Sequence, residues 1–301
     1  MNTSVTLAGV KLKNPVMVAS GTFGSGIEFS EFVDLNRLGA VVTKGVALTP
    51  WPGNPTPRIA ETPSGMMNAI GLQNPGIDTF MKRDLPFLYD YNTAIVVNVV
   101  GKSEEEYCGV VEKLSDTKAD LLEINISCPN VKEGGIAFGQ DSRAVEHITR
   151  AIKAHTTKPI IMKLSPNVTD IKEMARAAEA GGADAISLIN TLTGMKIDIR
   201  KRTFAIKNKT GGLSGPAIHP IAVRMVYEAS HAVSIPVVGM GGIATYEDAI
   251  EMMLAGATAV SVGTANFRNP SVTMEIVDGI EKFMSDNKIE DIKELIGGVK
   301  E

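Results

Sequence analysis

Eight short runs of aliphatic, largely β-branched residues recur along this chain, at 16–19, 40–44, 94–99, 121–126, 159–164, 185–189, 236–240 and 258–262. Runs apolar at successive positions read as strands buried on both faces, and such strands, alternating with helices, form parallel sheets. Helical spacing runs through 104–114, 142–154, 168–180, 218–232 and 246–255. Eight strand–helix units in 301 residues predict an α/β fold, the TIM (β/α)8 barrel. A doubly wound sheet is the alternative, but its usual count is five or six strands. No low-complexity linker interrupts the chain, so residues 1–301 are expected to form one domain.

The opening VTLAGVKLKNP reads as a β-hairpin turning at Ala8-Gly9 and plugging or flanking the barrel. Three connections are long: 46–76 after the second strand, 129–140 after the fourth and 191–216 after the sixth. All three leave the C-terminal ends of strands, where barrel active sites lie.

Charge and cysteine usage exclude several classes. The net charge is -4 with no lysine-rich run, so nucleic acid is not the expected partner. No apolar stretch approaches a membrane span, and the N-terminus does not read as a signal peptide. Cys108 and Cys128 are the only cysteines. They fit a reducing cytoplasm and cannot ligate an iron–sulfur cluster within this chain, which takes four ligands. None of His147, His155, His219 and His231 falls at a strand end, so no metal site and no histidine base are expected. Cys108 sits in a helix and reads as packing.

The stretch LLEINISCPN carries the sharpest signal. It begins as a strand and stops at Pro129, presenting Cys128 just beyond a buried strand end. An isolated cysteine most often fills a gap as a small apolar group. Asn125, Ser127 and Asn130 add a second reading, because buried amides need partners that a planar polar ligand supplies. Other strand ends bring Ser20, Lys44 with Gly45, Asn98, Lys163, Asn190 and Thr191. A lysine ending an apolar strand is costly unless paired, so Lys44 and Lys163 together argue for an anionic or electron-rich ligand. Gly241-Gly242 after the seventh strand and Gly263-Thr264 after the eighth read as tight turns or as a phosphate site, and their adjacency in a barrel favours the phosphate. The segment Gly21-Thr22-Phe23-Gly24-Ser25-Gly26 has the wrong spacing for a dinucleotide fingerprint.

Taken together, Asn125-Ile-Ser-Cys128-Pro-Asn130, Lys44-Gly45, Asn68-Ala69-Ile70-Gly71-Leu72, Asn98, Lys163, Asn190-Thr191, Gly215 and the two glycine turns resemble dihydroorotate dehydrogenase over nearly the whole chain. Cysteine rather than serine at 128 resembles the class 1 enzymes, and segment 53–76 resembles the NAD-linked type 1B catalytic subunit. The resemblance implies oxidation of (S)-dihydroorotate to orotate in de novo pyrimidine (UMP) biosynthesis, with Cys128 as general base and FMN N5 as hydride acceptor. It implies FMN contacts from Ser20, Lys44, Gly45, Asn98, Asn125, Lys163, Ile189, Gly215, Gly241, Gly242, Gly263 and Thr264. Substrate contacts are implied for Lys44, Asn68, Ala69, Ile70, Gly71, Leu72, Asn125, Asn130, Asn190 and Thr191, with loop 129–140 as a lid. It further implies a partner subunit carrying FAD and a [2Fe–2S] cluster, joined to a catalytic homodimer in a heterotetramer. Two alternatives share the FMN barrel. The fumarate-linked type 1A enzyme has a different segment at 53–76, and a tRNA dihydrouridine synthase calls for a basic RNA surface.

Overall fold

A computed structural model describes residues 1–127 and 138–300. In chain order its strands are β1 Val5–Leu7, β2 Val10–Leu12, β3 Val16–Val18, β4 Ala40–Val42, β5 Ile59–Thr62, β6 Gly65–Asn68, β7 Ala94–Val99, β8 Leu121–Asn125, β9 Ile160–Lys163, β10 Ala185–Leu188, β11 Leu192–Met195, β12 Ile197–Asp198, β13 Thr203–Phe204, β14 Thr210–Ser214, β15 Val237–Met240 and β16 Ala259–Val262. The α-helices are α1 Ile77–Leu88, α2 Glu104–Ser115, α3 Ser142–Lys153, α4 Ile171–Ala180, α5 His219–Ser230, α6 Tyr246–Leu254, α7 Ala265–Arg268 and α8 Val272–Asp286.

Eight strands close into one parallel barrel in chain order, β3-β4-β7-β8-β9-β10-β15-β16, with β16 returning to β3. Each matches one of the eight apolar runs, shortened by a residue or two where the run overshoots the ladder. Residues of these strands are almost all buried, as expected of a sheet with helices outside and packed side chains within. Leu121, Ile160, Val260 and their neighbours belong to one continuous core, and each fully buried aliphatic side chain contributes about 1.5–3 kcal/mol.

The interior is not uniformly apolar. Asn98, Glu123, Lys163 and Ser187 on β7 to β10 are all buried, so a polar cluster stands inside the barrel. The register fixes it: Asn98 pairs with Glu123, Asn125 with Lys163, and Lys163 with Ser187.

Four of the helices begin where side chains supply acceptors to otherwise unpartnered N–H groups. Ser103 caps α2, Asp141 caps α3, Asp170 caps α4, and Thr245 with Asp248 forms a reciprocal capping box on α6. The N-terminal hairpin turns at Ala8 and Gly9, with φ of 49° and 83°, the two positive values a tight two-residue turn needs. Its Val5, Leu7 and Leu12 join the main core, so the hairpin packs into the barrel rather than lying free beside it.

The connections after β4 and β10 differ from the expected open loops. They fold together as an antiparallel sheet, β11-β14-β6-β5, over the C-terminal mouth of the barrel. Pairing satisfies backbone groups that would otherwise be stranded above the cavity. Residues 129–137 of the expected lid lie outside the described residues; Phe138–Gln140 form a short 3-10 turn whose Phe138 meets the Tyr107 ring edge-on at 6.2 Å.

Candidate active site

A cavity of about 410 Å³ opens at the C-terminal ends of the strands, roofed by the small antiparallel sheet. Its floor and walls come from the barrel: Ser20 beyond β3, Lys44 beyond β4, Asn125 on β8, Lys163 on β9, and Ile189, Asn190 and Thr191 beyond β10. Gly241 and Gly242 beyond β15, with Gly263 and Thr264 beyond β16, line one side together with Gly215. The roof contributes Asn68, Ala69, Ile70, Gly71 and Leu72. Seventeen of the expected site residues therefore meet in one place, although they come from strands spread over the whole chain.

Two expected contacts do not line the cavity. Asn98 is fully buried below it, and Gly45 packs against that side chain: a Cβ at 45 would lie 2.9 Å from Asn98 Oδ1. Asn98 Nδ2 donates to Glu123 Oε2 at 2.5 Å, so Asn98 faces the polar cluster rather than the cavity. Its Oδ1 is buried without a hydrogen-bond partner among the described residues. Cys128 and Asn130 lie outside the described residues.

The end of β8, up to Ser127, is held by several hydrogen bonds. Ser127 Oγ donates to Asn125 Oδ1 at 2.7 Å and accepts from Asn190 Nδ2 at 2.5 Å. Asn190 Oδ1 accepts from Thr191 N at 2.8 Å, and Tyr107 donates its hydroxyl hydrogen to the Asn125 carbonyl at 2.8 Å. These bonds tie the end of β8 to the end of β10, fixing the amides that face the cavity. Lys44 Nζ lies over the opposite wall, 3.5 Å from where a Cβ at Gly21 would stand.

The glycine side of the cavity has backbone conformations that favour glycine. Gly241 and Gly242 have φ of 131° and 71°, conformations that side chains rarely adopt. A Cβ at 242 would stand 2.8 Å from the Gly215 carbonyl oxygen. Thr264 Oγ1 donates to Ser214 Oγ at 2.7 Å, joining the turn after β16 to the roof. Glycine turns of this kind let backbone N–H groups approach a phosphate.

Three contributors escaped the sequence reading. Glu123 alternated with Leu122 and Ile124 as a strand position, and only barrel closure turns it inward onto Lys163, at 3.6 Å. Ser187, read only as part of a strand, donates to the other Glu123 oxygen at 2.8 Å. His219, set aside because it begins a helix, donates from Nδ1 to the Gly241 carbonyl at 2.8 Å and faces Glu251 at 3.2 Å and Asp248 at 3.8 Å. The remaining histidines are exposed: His147 on α3 meets Glu104, His155 just beyond α3 meets Glu112, and His231 at the end of α5 meets the Tyr227 carbonyl. No group of His, Cys, Asp or Glu side chains able to hold a metal occurs among the described residues. Cys108 is buried, and desolvation with nearby Glu104 and Glu112 pushes its thiol up to about 11, as a packing cysteine behaves.

A closed (β/α)8 barrel with two lysines, several amides and two glycine turns around a cavity at its C-terminal mouth has the architecture of an enzyme barrel. The dihydroorotate dehydrogenase family model matches residues 2–284. The chain is 67% identical over 300 residues to the catalytic subunit of dihydroorotate dehydrogenase B (NAD(+)) from Lachnoclostridium phytofermentans, covering 100% of both. It is 62% identical over 296 residues to the same subunit of Alkaliphilus oremlandii, covering 98% of each. A solved structure of DHODH in complex with ferulenol, from Eimeria tenella, superposes with a TM-score of 0.82 at 23% identity, covering 98% of this chain and 88% of that one; it speaks to the barrel fold alone. The chain belongs to the dihydroorotate dehydrogenase family and is an oxidoreductase.

Family membership implies FMN, and the residues fit it. The glycine turns would suit a phosphate, and a Cβ at Gly242 would stand 2.8 Å from the Gly215 carbonyl oxygen, so a side chain there would crowd the turn. Lys163, 4% exposed, brings a buried lysine to the cavity floor, where an electron-rich ring edge would offset its lost hydration. No helix among the described residues is long and apolar enough to cross a membrane.

Proposed function

We propose that this chain is the catalytic subunit of an NAD-linked dihydroorotate dehydrogenase, oxidising (S)-dihydroorotate to orotate in de novo pyrimidine biosynthesis in the cytoplasm, with residues 1–301 acting as one FMN-binding domain. The observation that carries the reading is the meeting, in one cavity, of the glycine anion turn, Lys163 and the amides of Asn68, Asn125 and Asn190. The names of the full-length relatives support the same substrate and electron acceptor.

Bound FMN supplies at N5 the acceptor for the hydride leaving carbon 6 of the substrate. Gly241, Gly242, Gly263 and Thr264 hold the phosphate, and Ser20, Lys44, Asn125, Ile189 and Gly215 line the remaining cofactor surface. Lys163 would hold the flavin from the cavity floor and balance negative charge on its pyrimidine portion. Asn68, Asn125, Asn130, Asn190 and Thr191 match the amide-like ring edge and carboxylate of dihydroorotate, because side-chain amides both donate and accept. The 69–72 backbone closes over the substrate from the roof. Cys128 follows directly on the anchored Ser127 and takes the proton from carbon 5 as general base. An ordinary thiol is only a few per cent thiolate at neutral pH, so turnover rises with pH through the mildly alkaline range.

Electrons must leave the reduced cofactor for turnover. With two cysteines and no dinucleotide fingerprint, this chain is read as relying on a partner subunit that carries FAD and a [2Fe–2S] cluster. We place a catalytic homodimer at the centre of a heterotetramer; the designation of the relatives as catalytic subunits supports a separate partner subunit. The test is an acceptor assay. The isolated chain should oxidise dihydroorotate with artificial acceptors but not with NAD, and the partner should restore NAD reduction. NAD reduction by the isolated chain at the rate of the complex would overturn the two-subunit path.

A further inference from the structure

We propose that Glu123 is a positioning residue that limits the positive charge Lys163 presents to the flavin and so holds the cofactor's reduction potential down; this rests on the FMN reading above. Glu123 is 2% exposed and does not line the cavity. Three groups from three other strands converge on its carboxylate. Asn98 Nδ2 donates to Oε2 at 2.5 Å, Ser187 Oγ donates to Oε1 at 2.8 Å, and Lys163 Nζ stands 3.6 Å from Oε2. Packing alone does not explain a carboxylate here, because an apolar side chain would fill the barrel without desolvating a charge.

The geometry separates two tasks. The neutral donors Asn98 and Ser187 hold the carboxylate at hydrogen-bond distance, whereas Lys163 lies beyond it, at ion-pair range. Among the described residues no hydrogen bond occupies the Lys163 ammonium, which lines the cavity. Lys163 thus keeps its N–H donors for the ligand while Glu123 cancels much of its field. A reduced flavin carries negative charge along its N1–C2 edge, so an uncompensated lysine would stabilise it strongly. The paired lysine stabilises it less, which favours passing electrons onward to a low-potential acceptor.

The experiment uses the full chain with bound FMN and reads two properties other than turnover. They are the FMN midpoint potential and the dissociation constant of sulfite, which adds at N5 and leaves negative charge on the N1–C2 edge. Glu123→Gln should move the potential to more positive values and tighten sulfite about tenfold, the scale of one unit charge acting across several ångströms of protein. Glu123→Asp, which keeps the charge, should stay near the parent. In a Lys163→Met background Glu123→Gln should lose most of its effect, because the charge it unmasks is gone. Should Glu123→Gln not fold, Ser187→Ala serves: losing one donor strengthens the carboxylate's hold on Lys163, and the potential should fall. Bound FMN with potential and sulfite affinity unmoved in these variants overturns the proposal alone. An equal shift with and without Lys163 also overturns it. A chain that takes up no FMN overturns the cofactor reading as well.

Discussion

Replacing Gly242 by alanine tests the anion turn at its tightest point. The residue has φ of 71°, and its new Cβ would stand 2.8 Å from the Gly215 carbonyl oxygen, 2.8 Å from His219 Cβ and 3.0 Å from His219 N. The left-handed backbone alone costs about 1–2 kcal/mol for an L side chain. Two of the crowded atoms are backbone, so they yield only by shifting Gly215 or the start of α5, at a further cost of about 1–3 kcal/mol. The sum, about 2–5 kcal/mol, leaves a barrel with stability of about 5–15 kcal/mol folded under mild conditions. The shift falls on the turn assigned to the phosphate. If about 2 kcal/mol of it appears in binding, FMN affinity drops about thirtyfold. The assay is titration of the FMN-free protein with FMN and, separately, with riboflavin, followed by quenching of flavin fluorescence. FMN should weaken by that factor while riboflavin, lacking the phosphate, changes far less. Gly297→Ala is the control: φ is 66° but nothing lies within 4 Å of its Cβ, so only the backbone cost applies. Equal weakening of both flavins, or of neither, refutes the assignment.

Lys163→Met should destabilise the fold by about 3–5 kcal/mol, because it strands the Glu123 carboxylate in the barrel, and adding Glu123→Gln should recover part of that loss; thermal melts of the two variants check this. His219→Ala removes the donor to the Gly241 carbonyl and should weaken FMN several-fold, about 1 kcal/mol, in the same fluorescence titration. Cys108 should resist iodoacetamide in the folded protein at pH 7.5, since a thiol pushed up to about 11 stays protonated and the thiolate is the nucleophile; peptide mass spectra showing Cys108 alkylated before denaturation would contradict this.

The barrel was legible because parallel strands buried on both faces leave continuous apolar runs, and eight of them leave little choice of architecture. Several cavity-lining residues, among them Ser20, Lys44, Asn125, Lys163 and Asn190, were legible for a related reason, because residues at the ends of such runs fall at or near the barrel mouth, whereas 68–72 and Gly215 came only from the family resemblance and Gly45 and Asn98 lie below the cavity. What escaped depends on closure in three dimensions. Glu123 looked like one position of an alternating strand, and nothing local shows that Asn98, Lys163 and Ser187 will surround it. The roof sheet was hidden because its strands are short and half-exposed, and β5 turns into β6 at Pro63-Ser64 inside a proline-rich segment. Helix α1 carries Pro86 in its last turn, which masks its pattern, whereas α8 places Val272, Ile276, Ile280 and Met284 four residues apart and was within reach of spacing alone.

Anaerobic mixing of the purified, FMN-loaded chain with dihydroorotate, with flavin absorbance followed in time, addresses the central claim most directly. The flavin should bleach in the parent, faster as pH rises toward about 8.5. Cys128→Ala should retain FMN yet bleach orders of magnitude more slowly, since it lacks the group assigned to take the carbon 5 proton. A parent flavin that stays oxidised with dihydroorotate, or a Cys128→Ala variant that bleaches at the parent rate, would contradict the account.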